Sequence, residues 1–251
     1  MTTWRLIVHG AADGATNMAL DDALLDGAAA GGPPTLRLYR WRPPCLSLGY
    51  FQPLVDVDRA ACAAAGVELV RAVAGPLGAP PFAGGVVASY GCLAQALLAA
   101  LAELGVAAES AAPGPPAGPR GPACFDGAAA YEISAGERKL VGSAQTRRGG
   151  ALLQHGAVPL GGDPARVVDL LALQPEARAA LRARLAARSA TLAALLGRRP
   201  DWVAVARAVA GGFAQTFGLR LVEGDLTAEE RALAECARRE RYASLAWLER
   251  R

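Results

Sequence analysis

Two residues carry most of the chemistry open to this chain. Cys124 stands between a Pro/Gly-rich run, Pro113 to Pro122, and Phe125-Asp126-Gly127. A cysteine where a loop meets a strand is well placed to be reached, and its thiolate is the nucleophilic form. Lys139 follows fifteen residues later and is the only lysine, against 25 arginines. A chain so rich in Ala, Arg, Gly and Pro reads as one in which arginine replaces lysine wherever either serves. Lysine is needed where a compact, tunable ammonium matters, because a guanidinium keeps its proton. If the two residues meet, the ammonium holds a thiolate ready to attack an acyl carbonyl, which is covalent nucleophilic catalysis. The competing reading makes Lys139 an accident of drift on an exposed strand. Gly142-Ser143-Ala144, read as a tight turn, could aim backbone N–H groups at the developing oxyanion.

Other chemistries fit less well. Five cysteines with no CxxC spacing argue against a disulfide framework or a common zinc site. Cys45, Cys62, Cys92 and Cys236 read as structural thiols, with Cys62 and Cys92 as small buried hydrophobes. A Cys–His pair would need His155, which as a lone strand histidine also reads as a hydrogen-bonded structural group. The glycines at 75–85 lack GxxxxGK[ST] spacing, and Gly142-Ser143 is no G-x-S-x-G elbow. Arg147-Arg148 could receive an acidic partner or a phosphate, but reads first as a solvated hairpin end.

The elements that must position these residues follow from periodicity. Residues 4–8 read as a strand, and Asn17 as the cap of a helix running to Ala29. In that helix Leu20, Leu24 and Ala28 should face the core, with Asp22 and Asp26 outward. Strands are expected at 35–39, 45–51 and 67–71, with a helix at 56–65. An irregular segment, 72–85, leads to a helix at 88–104. A meander follows: strand 130–134, turn 135–137, strand 138–144, strand 152–158. It brings the neighbourhood of Cys124 towards the strand of Lys139. Beyond Gly162 the chain turns helical. Trp202, Val205, Val209 and Phe213 make one apolar stripe behind Pro200 at a first turn. Leu219–Val222 could add a strand, and Thr227 with Glu230 has capping-box spacing. The expected class is α+β, a mixed sheet with flanking helices. A catalytic domain spans 1–222 and a helical appendage 223–251.

Composition narrows the function further. The 251 residues suit one large domain or two small ones at about 150 residues each. Twenty-six basic against 23 acidic side chains leave a net charge of +3, with no polybasic arm. Nucleic-acid binding is not expected. No stretch of about 18 apolar residues is free of polar interruption, and no long apolar run follows Arg5. A soluble cytoplasmic protein, without membrane span or signal peptide, is expected.

Several stretches resemble the biotin/lipoate A/B protein ligase family, and within it the cysteine-dependent octanoyltransferases of lipoate synthesis. They are Asn17-Met18-Ala19-Leu20-Asp21-Asp22, Pro33 to Tyr39, and Ser47-Leu48-Gly49-Tyr50-Phe51-Gln52. Sharper are Ala123-Cys124-Phe125-Asp126, Tyr131-Glu132-Ile133, Arg138 to Gln145, and Leu153-Gln154-His155-Gly156. The resemblance implies that Cys124 accepts octanoyl from octanoyl-acyl carrier protein as a thioester. The chain then passes to a lysine of a lipoyl-domain protein such as the glycine cleavage H protein. Lys139 would lower the cysteine pKa. Arg71, Gly142, Ser143, Ala144, Gln145, His155 and Gly156 would contact substrate. No metal, nucleotide or other cofactor would be required.

One departure is large. After a strand like Glu68-Leu69-Val70-Arg71 the family continues with a second arginine, a Thr-Gly-Gly loop and further strands that line the acyl pocket. Here Arg71 runs into Ala72-Val73-Ala74-Gly75-Pro76, so that block is expected to be missing near 72–85. Gly127-Ala128-Ala129 is a smaller departure, where the family tends to Pro and Ser. The expectation is an intact nucleophile with an impaired acyl pocket. Two alternatives remain: an ATP-dependent lipoate–protein ligase, and a non-catalytic paralogue that only binds an acyl group or a lipoyl domain.

Overall fold

The computed structural model describes residues 1–72, 86–111 and 132–250. Cys124 and most of 72–85 lie outside them. The chain opens with strand β1 (Thr3–Ala12) and helix α1 (Gly14–Ala29), then β2 (Thr35–Trp41) and β3 (Cys45–Leu48). A single helical turn at Leu54–Asp56 precedes α2 (Arg59–Ala64) and β4 (Glu68–Arg71). The middle of the chain holds α3 (Val86–Glu103), the short β5 (Glu109–Ser110), and the meander β6 (Ile133–Ala135), β7 (Arg138–Arg148) and β8 (Ala151–Ala157). Then come α4 (Pro175–Arg188), α5 (Leu192–Leu196), α6 (Trp202–Phe217), β9 (Arg220–Glu223), α7 (Ala228–Ala237) and α8 (Leu245–Leu248).

This is an α+β architecture in which parallel and antiparallel pairings occupy separate ladders. β1 lies between β2 and β9, parallel to both, and β3 pairs with β4 in parallel. β5, β6, β7 and β8 form an antiparallel sheet in that order. Ile133, Leu140 and Val141 from this sheet share a core with Ala94 and Leu101 of α3, Leu192 of α5 and Val205 of α6. Leu140 and Leu192 are fully buried, and each such leucine contributes about 2 kcal/mol of apolar transfer. A second core joins Met18, Ala19 and Leu25 of α1 to Val70, Ala151 and Tyr242. The segment from 223 onward packs into that core through Tyr242 and Trp247. Its capping box forms: Thr227 accepts from the Glu230 amide, and Glu230 accepts from the Thr227 amide.

α1 differs from expectation. Its N-cap is Asp13, whose carboxylate accepts from the Thr16 amide at 2.7 Å. Asn17 lies inside the helix, buried, its amide donating to the Ala12 and Arg40 carbonyls and accepting from Arg37. Leu20, Leu24 and Ala28 are only half-buried, whereas Asp21 and Asp22 are in the interior. The reason is long-range: arginines from other elements reach these carboxylates and make their burial tolerable. Pro200 precedes α6, whose cap is Asp201. Cys92 is exposed on α3 instead of buried.

Candidate active site

β7 and β8 close through Gly149-Gly150, with φ of 54° and 82°, left-handed backbone that glycine adopts without a Cβ clash. That turn sets the register. Gly142 faces Ala157, Ser143 faces Gly156, Ala144 faces His155 and Gln145 faces Gln154. Six residues expected at the substrate therefore lie side by side on the paired strands, Ser143, Gln145 and Gly156 towards one face and Gly142, Ala144 and His155 towards the other. Gly142, Ser143 and Ala144 are strand interior, not the expected tight turn, because the eleven-residue ladder runs through them to Arg148. Gly156 is required by close approach: a Cβ there would stand 2.7 Å from the Ser143 hydroxyl and 3.0 Å from the Gly142 carbonyl oxygen.

Lys139 is not on an exposed strand. It is 5% exposed, and its Nζ donates to Glu132 Oε1 at 2.5 Å, with Glu132 itself 8% exposed. Glu132 directly precedes β6, which pairs with β7, yet the register steps from Ile133–Val141 to Ser134–Lys139, so Leu140 is an extra residue on β7. Beyond Lys139 the strand meets the end of α4, where the Ala190 amide donates to the Lys139 carbonyl at 2.9 Å.

Alternate residues of β7 face α3. Val141 and Ser143, with Ile133, Gln154, Tyr90, Ala94 and Leu97, line a small cavity of about 10 Å³. That is room for one water, far below the ~300 Å³ at the lower end of ligand pockets. Towards the start of α3 the lining turns polar. Gln145 donates to Gln154 at 3.0 Å and to Ser89 at 3.2 Å, and Tyr90 donates to the Ser143 carbonyl at 2.9 Å. Arg147 is 3% exposed, donates to Ser89 at 3.1 Å, and leaves its Nε without a partner. It is buried instead of capping a solvated hairpin end. Arg148 is bound by Asp22 and Asp26.

Residues 13–75 and 80–214 match the lipoyl protein ligase A/B catalytic domain. The chain belongs to that family. A relative named octanoyltransferase LipM from Symbiobacterium thermophilum is 41% identical, over 98% of each chain. One of the same name from Moorella thermoacetica is 39% identical, over 99% of this chain and 98% of its own. A lipoate protein ligase of Thermoplasma acidophilum, solved in work on a bipartite ligase and its E2 lipoyl domain, has the same fold, with TM-score 0.83. It is 21% identical, over 99% of this chain and 97% of its own. A lipoate-protein ligase A bound with ATP gives 0.78 at 21% identity, over 99% of both. The family match is interrupted at 76–79, inside 72–85. The alignment with the Symbiobacterium relative runs over 269 positions, more than the 251 here, so parts of that relative have no counterpart in this chain.

Other expected site residues of this family member fall in different surroundings. The Arg71 guanidinium is committed to backbone carbonyls: Gly49, Tyr50 and Gln52 at 2.8–3.0 Å, and Leu248 at 2.7 Å. As placed, it ties β4 to the 49–52 loop and the C-terminal segment. The His155 ring makes no hydrogen bond among the described residues. Burial holds its pKa below the ordinary value, opposed by the charge of Asp21. The Cys45 thiol is pushed up to about 12 by burial and then by Glu68, and burial also raises Cys62. Both are poor nucleophiles at neutral pH. No helix among the described residues is long and apolar enough to cross a membrane.

Sequence reasoning gave no role to Glu132, Ser89, Tyr90 or Gln154. For Glu132 a signal existed, since a carboxylate and the sole lysine flank a three-residue turn in a short hairpin. Ser89 and Tyr90 gave none, because the face that α3 turns to β7 is set by packing between distant segments.

Proposed function

We propose that this chain is a protein octanoyltransferase of lipoate biosynthesis, moving octanoyl from octanoyl-acyl carrier protein through Cys124 to a lipoyl-domain protein such as the glycine cleavage H protein. The Cys124 sulfur attacks the donor thioester carbonyl, a new C–S bond forms, and the carrier's thiol leaves with the proton. An acceptor lysine amine then attacks the Cys124 thioester. An amide forms, the amine gives up a proton, and the Cys124 sulfur departs. Lys139 supplies positive charge that favours the thiolate in both steps. The β7–β8 patch around Ser143 and Gly156 borders the acyl chain. The observation that carries this reading is the position of the chain's only lysine, desolvated on β7 beside that patch. Full-length likeness to octanoyltransferases supports the acyl group.

The acyl wall is the weak part of this enzyme. The interrupted match near 72–85 supports a reduced pocket. Intact-mass spectrometry after mixing with octanoyl-acyl carrier protein tests the reading. A hydroxylamine-labile octanoyl adduct is expected on the wild type and absent from Cys124→Ala. No adduct from folded wild type, with lipoate transfer appearing on addition of ATP and free lipoate, would replace it with the ligase reading. Unimpaired octanoyl transfer would sink the reduced-pocket part alone.

A further inference from the structure

We infer that Glu132 is the positioning residue of this site, fixing the Lys139 ammonium where it acts on Cys124. The inference rests on the thioester reading above and assigns a role to a residue that reading does not use.

Three observations carry it. The Lys139 Nζ–Glu132 Oε1 contact is 2.5 Å, a direct charge-assisted hydrogen bond, and both side chains are buried. A lysine stem has four rotatable bonds, so an ammonium without a fixed partner samples many positions, whereas one bonded to a carboxylate in a packed core is held. Second, the β6–β7 ladder gives up its regularity where the pair forms. The extra residue Leu140 falls between Ile133–Val141 and Ser134–Lys139. A bulge of this kind re-aims the neighbouring side chain, and such irregularities concentrate beside active sites. Third, Glu132 directly follows the segment that carries Cys124. One short stretch of chain therefore bears both the nucleophile and the group that anchors its cation.

A buried ion pair with a structural role alone is the competing account, since such pairs occur without function and add little net stability. The two accounts separate because Lys139 is the only lysine. Isotope-labelled lysine gives one side-chain ammonium signal, which reads the pair directly. Rapid-quench mass spectrometry of the octanoyl adduct on Cys124 reads the chemistry.

In wild type the ammonium protons are expected to be protected from exchange at neutral pH. Glu132→Gln should shift or abolish that signal. It should also slow adduct formation on the order of 10²-fold at unchanged half-saturation by the donor, the size of effect that misplacing a reacting group produces. Glu132→Asp should recover part of the rate. Circular dichroism checks the fold, and the wild-type signal with Glu132→Asp decides the matter if Glu132→Gln does not fold. The inference is overturned if the wild-type signal exchanges like that of an exposed lysine, or if Glu132→Gln moves the signal while the adduct forms at the wild-type rate. If Lys139→Ala forms the adduct at the wild-type rate, the lysine–cysteine reading itself fails and this inference goes with it. The wild-type ammonium signal would still report the ion pair, so the two failures are told apart.

Discussion

The two ends of β7 handle buried charge in different ways. At the α1 end, carboxylates and guanidiniums are shared. Asp22, 2% exposed, is held by both Arg148 and Arg241, and Arg148 also reaches Asp26. Asp21 binds Arg37 at 2.7 Å and accepts from Tyr39, while Arg37 also bonds Asn17 and His9. Arg5 and Glu230 pair at 2.5 Å inside the α7 capping box. These forks join α1, β2, β7 and the C-terminal helices into one body. Charge at the start of β7 is arranged otherwise. There the sole lysine meets Glu132, and both side chains are buried. Arginine, permanently charged and planar, suits a network whose purpose is geometry. Lysine, compact and tunable, suits a place where charge must act on a reaction. The comparison separates charge that holds the fold from charge that serves the site.

The largest expected effect attacks that division directly. Lys139→Met with Glu132→Leu replaces a buried pair by apolar side chains of similar size. Such replacements are often neutral or stabilising, so urea unfolding should show a loss of no more than about 1 kcal/mol. Octanoyl adduct formation should fall on the order of 10²-fold or more. Loss of stability with retained activity would reverse the roles assigned to the two ends. Next, Asp22→Asn removes the charge that Arg148 and Arg241 share. It should cost about 3 kcal/mol in urea unfolding, at the low end for a broken buried pair because both arginines touch solvent. The adduct rate per folded molecule should hold.

The smallest effect is a pH dependence. The Arg5 guanidinium hydrogen-bonded to Glu230 holds its carboxyl below the ordinary 4.5, against the opposing effect of burial. A carboxyl with a depressed folded pKa stabilises the protein above its unfolded value, and that stability drains away as pH falls through the folded one. Glu230→Gln should therefore lower stability at neutral pH and flatten the acid limb below about pH 4.5. An acid limb as steep as in wild type would mean that the α1 end draws its pH sensitivity from other carboxylates.

Much of the site was legible because its signals are local. The meander 132–157 follows from alternation and glycine turns, and the Gly149-Gly150 hairpin alone settles which residues of β7 and β8 meet. The interest of Lys139 came from composition, before any contact was known. The turn expected at 142–144 is absent because Gly142 is accommodated inside the strand. Gly156 shows the other use of glycine, close approach between strands. Asn17 and Asp22 failed for a shared reason. A helix read by itself sends polar side chains to solvent, and nothing within α1 announces Arg37, Arg148 or Arg241.

Composition and local pattern determined the class of the chain, the order of most of its strands and helices, and the one residue type in short supply. Tertiary structure decided which side chains went inside. Burial of Asp21, Asp22, Arg71, Glu132 and Lys139 depends on partners that are distant in sequence or re-aimed by a bulge. A charged group enters a core only when its counter-charge or carbonyl acceptors arrive with it. That condition belongs to the assembled molecule and to no single segment of it.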